Sequence, residues 1–338
     1  MRRLLYLLLV VVLSCCSSQK PHLHVYTWGD YIKPELLDQF EKEFQCKIVL
    51  DTYDSNESMY AKLKAGASGY DIIFPTSYII AIMEDQGMLQ VLDEALIPNL
   101  AYIDHHYLSL INEKSYPNSV PFAVTFSGIA YRKDRVIDPI SSWGIFGERS
   151  LKGRMTMLND PRETIGAALK YLGFSINTIN PAEIDAATNQ LLVWKKNLAK
   201  YESEQYKNGI ASAEYLVAQG YSGDVMQLIE EDEDVGFLLP HEGSVFSCDS
   251  MTIPKGAHSH ALAHAFINFL LRPEVAAENM AANYYRCPNT AAYELLSKEL
   301  LDNPVIFPAH EFLQKSEIIY DLGENIRLYT EAWDRLKK

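Results

Sequence analysis

From residue 24 to residue 86 the chain alternates short β-branched runs with runs of helical periodicity, and this order constrains the fold more than any other feature. Residues 24–27 read as a strand. Pro34 then opens a helix at its first position, with Leu36, Leu37, Phe40 and Phe44 on one face. Residues 47–53 are a second strand, rich in β-branched and apolar side chains. Asn56 is placed to cap a helix running to Lys64 and closed by Gly66. Residues 70–74 form a third strand ended by Pro75, and a helix over 79–86 stops at Gly87. Strand–helix–strand–helix order predicts a mainly parallel α/β sheet with helices on both faces.

The alternation resumes from a strand at residues 126–132, with helices predicted over 162–172 and 181–196. Residues 246–253 are again strand-like, 260–271 a strongly apolar helix, and 323–336 an amphipathic one. The charge run Glu230-Glu231-Asp232-Glu233-Asp234 reads as a solvated loop. With 338 residues there is enough chain for two lobes, each with its own core.

The N-terminus reads as an export signal over residues 1–14. Arg2 and Arg3 precede an apolar stretch, residues 4–13, too short to span a bilayer. Val12-Leu13-Ser14-Cys15 looks like a lipobox, with Cys15 as the acylated residue in preference to Cys16. Residues 15–21 are polar and suit a tether. The alternative, an ordinary buried helix, fits poorly with the polar run Ser17-Ser18-Gln19-Lys20-Pro21. The expected location is therefore the periplasm, anchored to a membrane by lipid. The formal net charge of −14 argues against nucleic acid and favours cationic partners. Cys46, Cys248 and Cys287 are an odd number of remaining cysteines, so no disulfide is predicted.

Several residue groups could carry function. Trp28-Gly29-Asp30-Tyr31 lies between a strand and a helix start, where open α/β sheets bind ligands. Trp28 and Tyr31 could face an alkyl ammonium and Asp30 could bond it; alternatively Trp28 is core and Asp30 a cap. Asp160-Pro161-Arg162-Glu163 has the spacing of a capping box, yet both carboxylates could also turn to a ligand. Thr76, Ser77 and Tyr78 follow a strand end. Tyr221 and Asp224 lie in Gly220-Tyr221-Ser222-Gly223-Asp224, whose glycines allow close approach. Asp249, in Ser247-Cys248-Asp249-Ser250, is a lone acid in a strand and calls for a partner.

Other groups point elsewhere. His258, His260 and His264 include an i,i+4 pair, and His105-His106 a second pair, without an evident carboxylate or cysteine to complete a metal site. No metal or other cofactor is expected. Tyr284-Tyr285 resembles the paired tyrosines of ferric-iron receptors, or serves the core or cleft edge. No nucleophile elbow, Walker loop or dinucleotide fingerprint occurs. Cys248 has no identifiable base, so no catalytic residue is assigned.

The chain resembles the periplasmic spermidine/putrescine-binding proteins of ABC importers along residues 24–338. The most specific stretch is residues 51–64, DTYDSNESMYAKLK, joined by residues 26–31, Asp160 with Arg162-Glu163, and residues 267–273. The resemblance implies a two-lobed α/β periplasmic binding protein of type II, closing on its ligand about a hinge. It implies lobe 1 from 22–126 plus 248–296, and lobe 2 from 127–247 plus 297–338. It implies a polyamine site of Trp28, Asp30, Tyr31, Thr76, Tyr78, Asp160, Glu163, Tyr221, Asp224, Ser247 and Asp249. A membrane permease is the implied partner, and the protein itself would be a monomer without catalytic activity. Ser247, Tyr221 and Ile319 stand where spermidine-preferring members carry tryptophan, tryptophan and glutamine. Asp30 and Gly223-Asp224 resemble the putrescine type, and Asp160 with Glu163 the spermidine type. The readings kept beside this one are a receptor for another organic cation or ferric iron, and an enzyme using Cys248.

Overall fold

The computed structural model describes residues 20–53, 55–104 and 118–338. The signal segment, Cys15, Cys16 and His105-His106 lie outside the described residues. Strand β1 (His22–Trp28) pairs in parallel with β2 (Lys47–Tyr53) and β3 (Ile72–Ile73). A second parallel group joins β5 (Met155–Met157) to β6 (Leu198–Tyr201) and β7 (Val217–Tyr221). Between the groups run two long antiparallel strands, β4 (Ser119–Arg132) and β9 (Val245–Thr252). The order across the sheet is β2-β1-β3-β9-β4-β7-β5-β6, with β8 (Val235–Leu238) on β4 and β10 (Glu317–Ile318) on β9.

Strand β4 is where the chain passes from one group to the other. Its first half pairs with β9 as far as Phe126↔Phe246. From Ser127↔Tyr221 it pairs with β7, and from Ile129↔Leu238 also with β8. Buried along almost its whole length, it has the continuous apolar character of a strand covered on both faces. Only its second half was legible as strand. Pro121 cannot donate to a ladder, and the register shift between Pro121 and Ala123 accommodates it.

Each parallel group is covered on both sides, as the alternation predicts. In the first, the helix Pro34–Glu43 buries Leu36 and Phe40, and the Phe40 ring meets Phe266 at 4.8 Å. The helices Asn56–Lys64 and Ser77–Asp85 bury Met59, Ile79, Ile80 and Met83 in a separate cluster with Tyr26 and Ile73. In the second, Trp143, Ile165, Leu191, Trp194 and Tyr329 form one core, and Tyr206, Tyr215, Val225 and Phe237 another.

Three local expectations change. Ser55, not Asn56, caps its helix by accepting from the Ser58 N–H, which frees the Asn56 amide for other use. The third strand shrinks to Ile72–Ile73. Asp71 at its head is 1 % exposed, and its carboxylate takes the N–H groups of His24, His258 and Ser259. The acidic run is only partly a solvated loop. Glu230 and Glu231 end the helix Ser222–Glu231. Asp232 and Asp234, with Asp134, bind the buried Arg132 guanidinium, a cation that burial would otherwise leave uncompensated.

Candidate ligand site

Strand ends and helix starts from both groups converge beside the β4–β9 crossing. On the first side Asp249 sits in β9, 7 % exposed. Its Oδ2 accepts from Tyr31 Oη at 2.5 Å and its Oδ1 from Thr76 Oγ1 at 2.6 Å. Asn56 holds Thr76 twice, donating to Oγ1 at 2.9 Å and accepting from the backbone N–H at 3.1 Å. Burial pushes the Asp249 carboxyl up to about 6, against the pull of the two hydroxyls. Trp28 closes the same corner. Its Nε1 donates to Phe74 O at 2.9 Å, and its ring tilts on Tyr53 with centroids 4.5 Å apart.

On the second side Asp160 is the N-cap of the helix Pro161–Tyr171, accepting from the N–H groups of Arg162 and Glu163. Pro161 at the first position fits this cap. The capping box is only half formed. Glu163, 3 % exposed, does not return to the Asp160 N–H. Its carboxyl feels the hydroxyls of Ser127 and Ser247, and Oε2 has no hydrogen-bond partner. Burial, then the charge of Asp160, pushes Glu163 upward. Burial also raises Asp160, with the charge of Glu57 adding to it. Arg162 does not neutralise the pair by contact. Its guanidinium turns away to Tyr320 O, Ile176 O and Asn177 Oδ1, and stacks 4.8 Å over Tyr329. Glu163 and Asp249 are thus buried acids, and Asp160 a half-buried one, without a contacting cation among the described residues.

Tyr78 links the sides. Its hydroxyl donates to Glu57 Oε1 at 3.1 Å and accepts from Asn56 Nδ2 at 3.3 Å, while its ring packs on Ile176, Val245 and Ile319. Burial raises the phenol, and Glu57 and Asp160 add their charge. Tyr221, at the end of β7, is raised by burial and then by Glu163 and Asp160. Ser247 is buried in β9 opposite Thr125.

Asp224 and Asp30 lie apart from these acids' bonding. Asp224 already accepts from Tyr206 Oη at 2.8 Å and Tyr285 Oη at 2.7 Å, with Lys207 Nζ 3.6 Å away. The two glycines flanking Tyr221 serve this arrangement. A Cβ on Gly220 would stand 2.5 Å from the Tyr206 ring, and one on Gly223 2.7 Å from Tyr285. Asp30 is exposed, at a left-handed φ of 52°. Sequence reasoning missed Glu57 and Asn56, both within the family-like stretch 51–64, and gave Tyr285 no definite role. In the structure Tyr285 stands edge-on to Tyr31, ring centres 5.1 Å apart.

The remaining candidates have structural surroundings. Cys248 is fully buried, and burial raises its thiol far above the range of a nucleophile. His264 accepts the Asp93 N–H through Nε2 and donates from Nδ1 to His260 O. Among the described residues no group of His, Cys, Asp and Glu has metal-binding geometry. Tyr284 ends the helix Pro273–Asn283 in the left-handed conformation, and burial, then the charge of Glu230, raises its phenol.

The sequence model of the bacterial extracellular solute-binding proteins matches residues 35–308. The spermidine/putrescine-binding periplasmic protein of Escherichia coli K12 is 34% identical over 318 residues, covering 93% of this chain and 91% of its own. A solved structure described as a spermidine/putrescine ABC transporter of Listeria monocytogenes superposes with a TM-score of 0.86 at 33% identity, covering 94% of this chain and 99% of that one. The TpPotD lipoprotein of Treponema pallidum gives 0.84 at 33% identity, over 93% and 99% of the two chains. These neighbours share the two-lobed arrangement.

Proposed function

The chain belongs to the bacterial extracellular solute-binding proteins, a family of binding proteins and not enzymes, and from that premise we propose that it captures a polyamine of the putrescine–spermidine class and hands it to the permease of an ABC importer. The observation that carries this reading is a set of acids, Asp249 and Glu163 buried and Asp160 half-buried, set on two sides of one crossing and lacking a contacting cation among the described residues. A buried carboxylate is costly unless paired, and a linear diammonium supplies a charge at each end. Asp249, supported by Tyr31 and Thr76, takes one ammonium. Asp160 and Glu163, with Ser247, take the other. Trp28, Tyr31, Tyr78 and Tyr221 pack on the methylenes and add cation–π attraction. Asp30 and Asp224 act from the edge, the first by charge and the second by holding Tyr285. Contacts from both lobes favour the closed state on binding. The lobes are taken as 22–126 with 248–296, and 127–247 with 297–338.

A melting-temperature screen of residues 20–338 with putrescine, cadaverine, spermidine and spermine tests the ligand class. At least one polyamine is expected to raise the melting point by several degrees at about a hundredfold excess over its Kd. A rise with ferric citrate or amino acids alone would replace this reading.

The same proposal includes lipid attachment at Cys15, supported by the lipobox and by the lipoprotein from Treponema pallidum. Labelled palmitate is expected to enter the full chain and to be absent from Cys15→Ser. Equal labelling of both would refute the assignment.

A further inference from the structure

The hydrogen bonds that aim the two tyrosines of the site lead back to one residue outside it. Asn279 and Asn283 stand one turn apart on the helix Pro273–Asn283, on the same face. They are 5 % and 4 % exposed. Asn279 donates to Tyr31 O at 3.3 Å and accepts from the Lys33 N–H at 2.8 Å. Asn283 donates to the same Tyr31 carbonyl at 2.7 Å and accepts from the Tyr285 N–H at 3.0 Å. Its own carbonyl takes Gln227 Nε2 at 3.0 Å, from the helix that carries Asp224.

Packing holds the Tyr31 ring against Phe74 and Phe122, and the two amides hold the backbone that carries it. Between β1 and the helix Pro34–Glu43 the chain turns through exposed Gly29 and through Asp30 at positive φ. Yet Tyr31 must present its hydroxyl to Asp249 within hydrogen-bond reach. At the other end Tyr284, also at positive φ, turns the chain so that Tyr285 points at Asp224. The side chain of Asn283 therefore fixes the backbone beneath both rings, and its carbonyl ties them to the opposite lobe.

We infer that Asn283 is a positioning residue of the cation site, acting through Tyr31 and Tyr285, with Asn279 as its auxiliary. The affinity consequence rests on the polyamine reading; the positional one does not. Asn283→Ala removes the partner of the Tyr285 N–H and leaves the Tyr31 carbonyl only the longer bond from Asn279, and is expected to weaken polyamine binding about tenfold or more. Asn197→Ala is the control for a merely structural loss. Asn197 is likewise buried, but its amide bonds Phe146 O in the core of the second lobe. It is expected to lower the melting point while leaving the Kd within about twofold.

The second readout is amide exchange at Lys33 in the unliganded protein, a bond Asn283 does not itself make. Asn283→Ala is expected to speed that exchange about tenfold and Asn197→Ala to leave it unchanged. If the parent binds no polyamine, the functional reading falls and the exchange arm alone decides this inference. If Asn283→Ala does not fold, Asn279→Ala replaces it in the affinity arm, with exchange read at Tyr285. Unchanged exchange, or affinity equally reduced in Asn197→Ala, overturns the assignment.

Discussion

Replacing Asp249 with asparagine is expected to leave a folded protein that binds polyamine about a hundredfold more weakly, or worse. Removing one partner of a buried ion pair costs roughly 3–5 kcal/mol, because the ammonium left behind is desolvated without a counter-charge. The substitution should cost the fold little. Asparagine can still accept from one of Tyr31 Oη and Thr76 Oγ1, and donate to the other, since a hydroxyl serves in either role. It also removes an anion that burial destabilises, as the rise of its carboxyl to about 6 shows. The unliganded variant should therefore melt no lower than the parent at pH 7. Calorimetric titration together with a melting curve reads both quantities. Affinity within threefold of the parent would remove Asp249 from the site. A melting point many degrees lower would mean that the acid serves the fold instead.

The second large effect is on pH. A carboxyl raised in the folded state binds more protons folded than unfolded. Its contribution to stability is fully present below the unfolded pKa and is lost as pH rises through the folded one. For Asp249 that window runs from 3.8 to about 6. For Asp160 and Glu163 the windows open at 3.8 and 4.5 and extend upward, because burial raises both. The unliganded protein should thus be more stable at pH 5 than at pH 8. Binding a cation has the opposite slope. Affinity should rise across the same interval, as the acids shed protons while the polyamine stays charged. At pH 6–7 binding should release protons, seen as heat that depends on the ionisation enthalpy of the buffer. Glu163→Gln should flatten the slope and reduce the release. Affinity independent of pH between 5 and 8 would contradict this account of the pocket.

The sequence carried the parts of this design that depend on near neighbours. The Asp160-Pro161 helix start is one, where the cap and the proline at the first position both appear in the structure. The strand 47–53 and the helix opening at Pro34 are others, because their periodicity and punctuation are local. What stayed hidden depends on residues far apart in the chain. Tyr31 reaches Asp249 across 218 positions, and Asn279 reaches the Lys33 N–H across 246. No spacing rule signals either bond. Asp224 carries the chemistry of a cation ligand in sequence, yet only packing shows that Tyr206 and Tyr285 already occupy it. The first half of β4 was obscured for a different reason, since Pro121 argues against a strand unless a bulge is known to be there. Glu57 was overlooked because a charged residue in the first turn of a helix has an ordinary explanation in the helix dipole.

The central claim is that buried acids on two sides of the cleft hold one polyamine. Its most direct test is a calorimetric titration of residues 20–338, unfolded and refolded to strip carried ligand, with putrescine, cadaverine, spermidine and spermine. The account predicts saturable one-to-one binding of at least one of the four, with proton release at pH 6–7. The absence of heat with all four, from protein that has regained its melting transition, would contradict it.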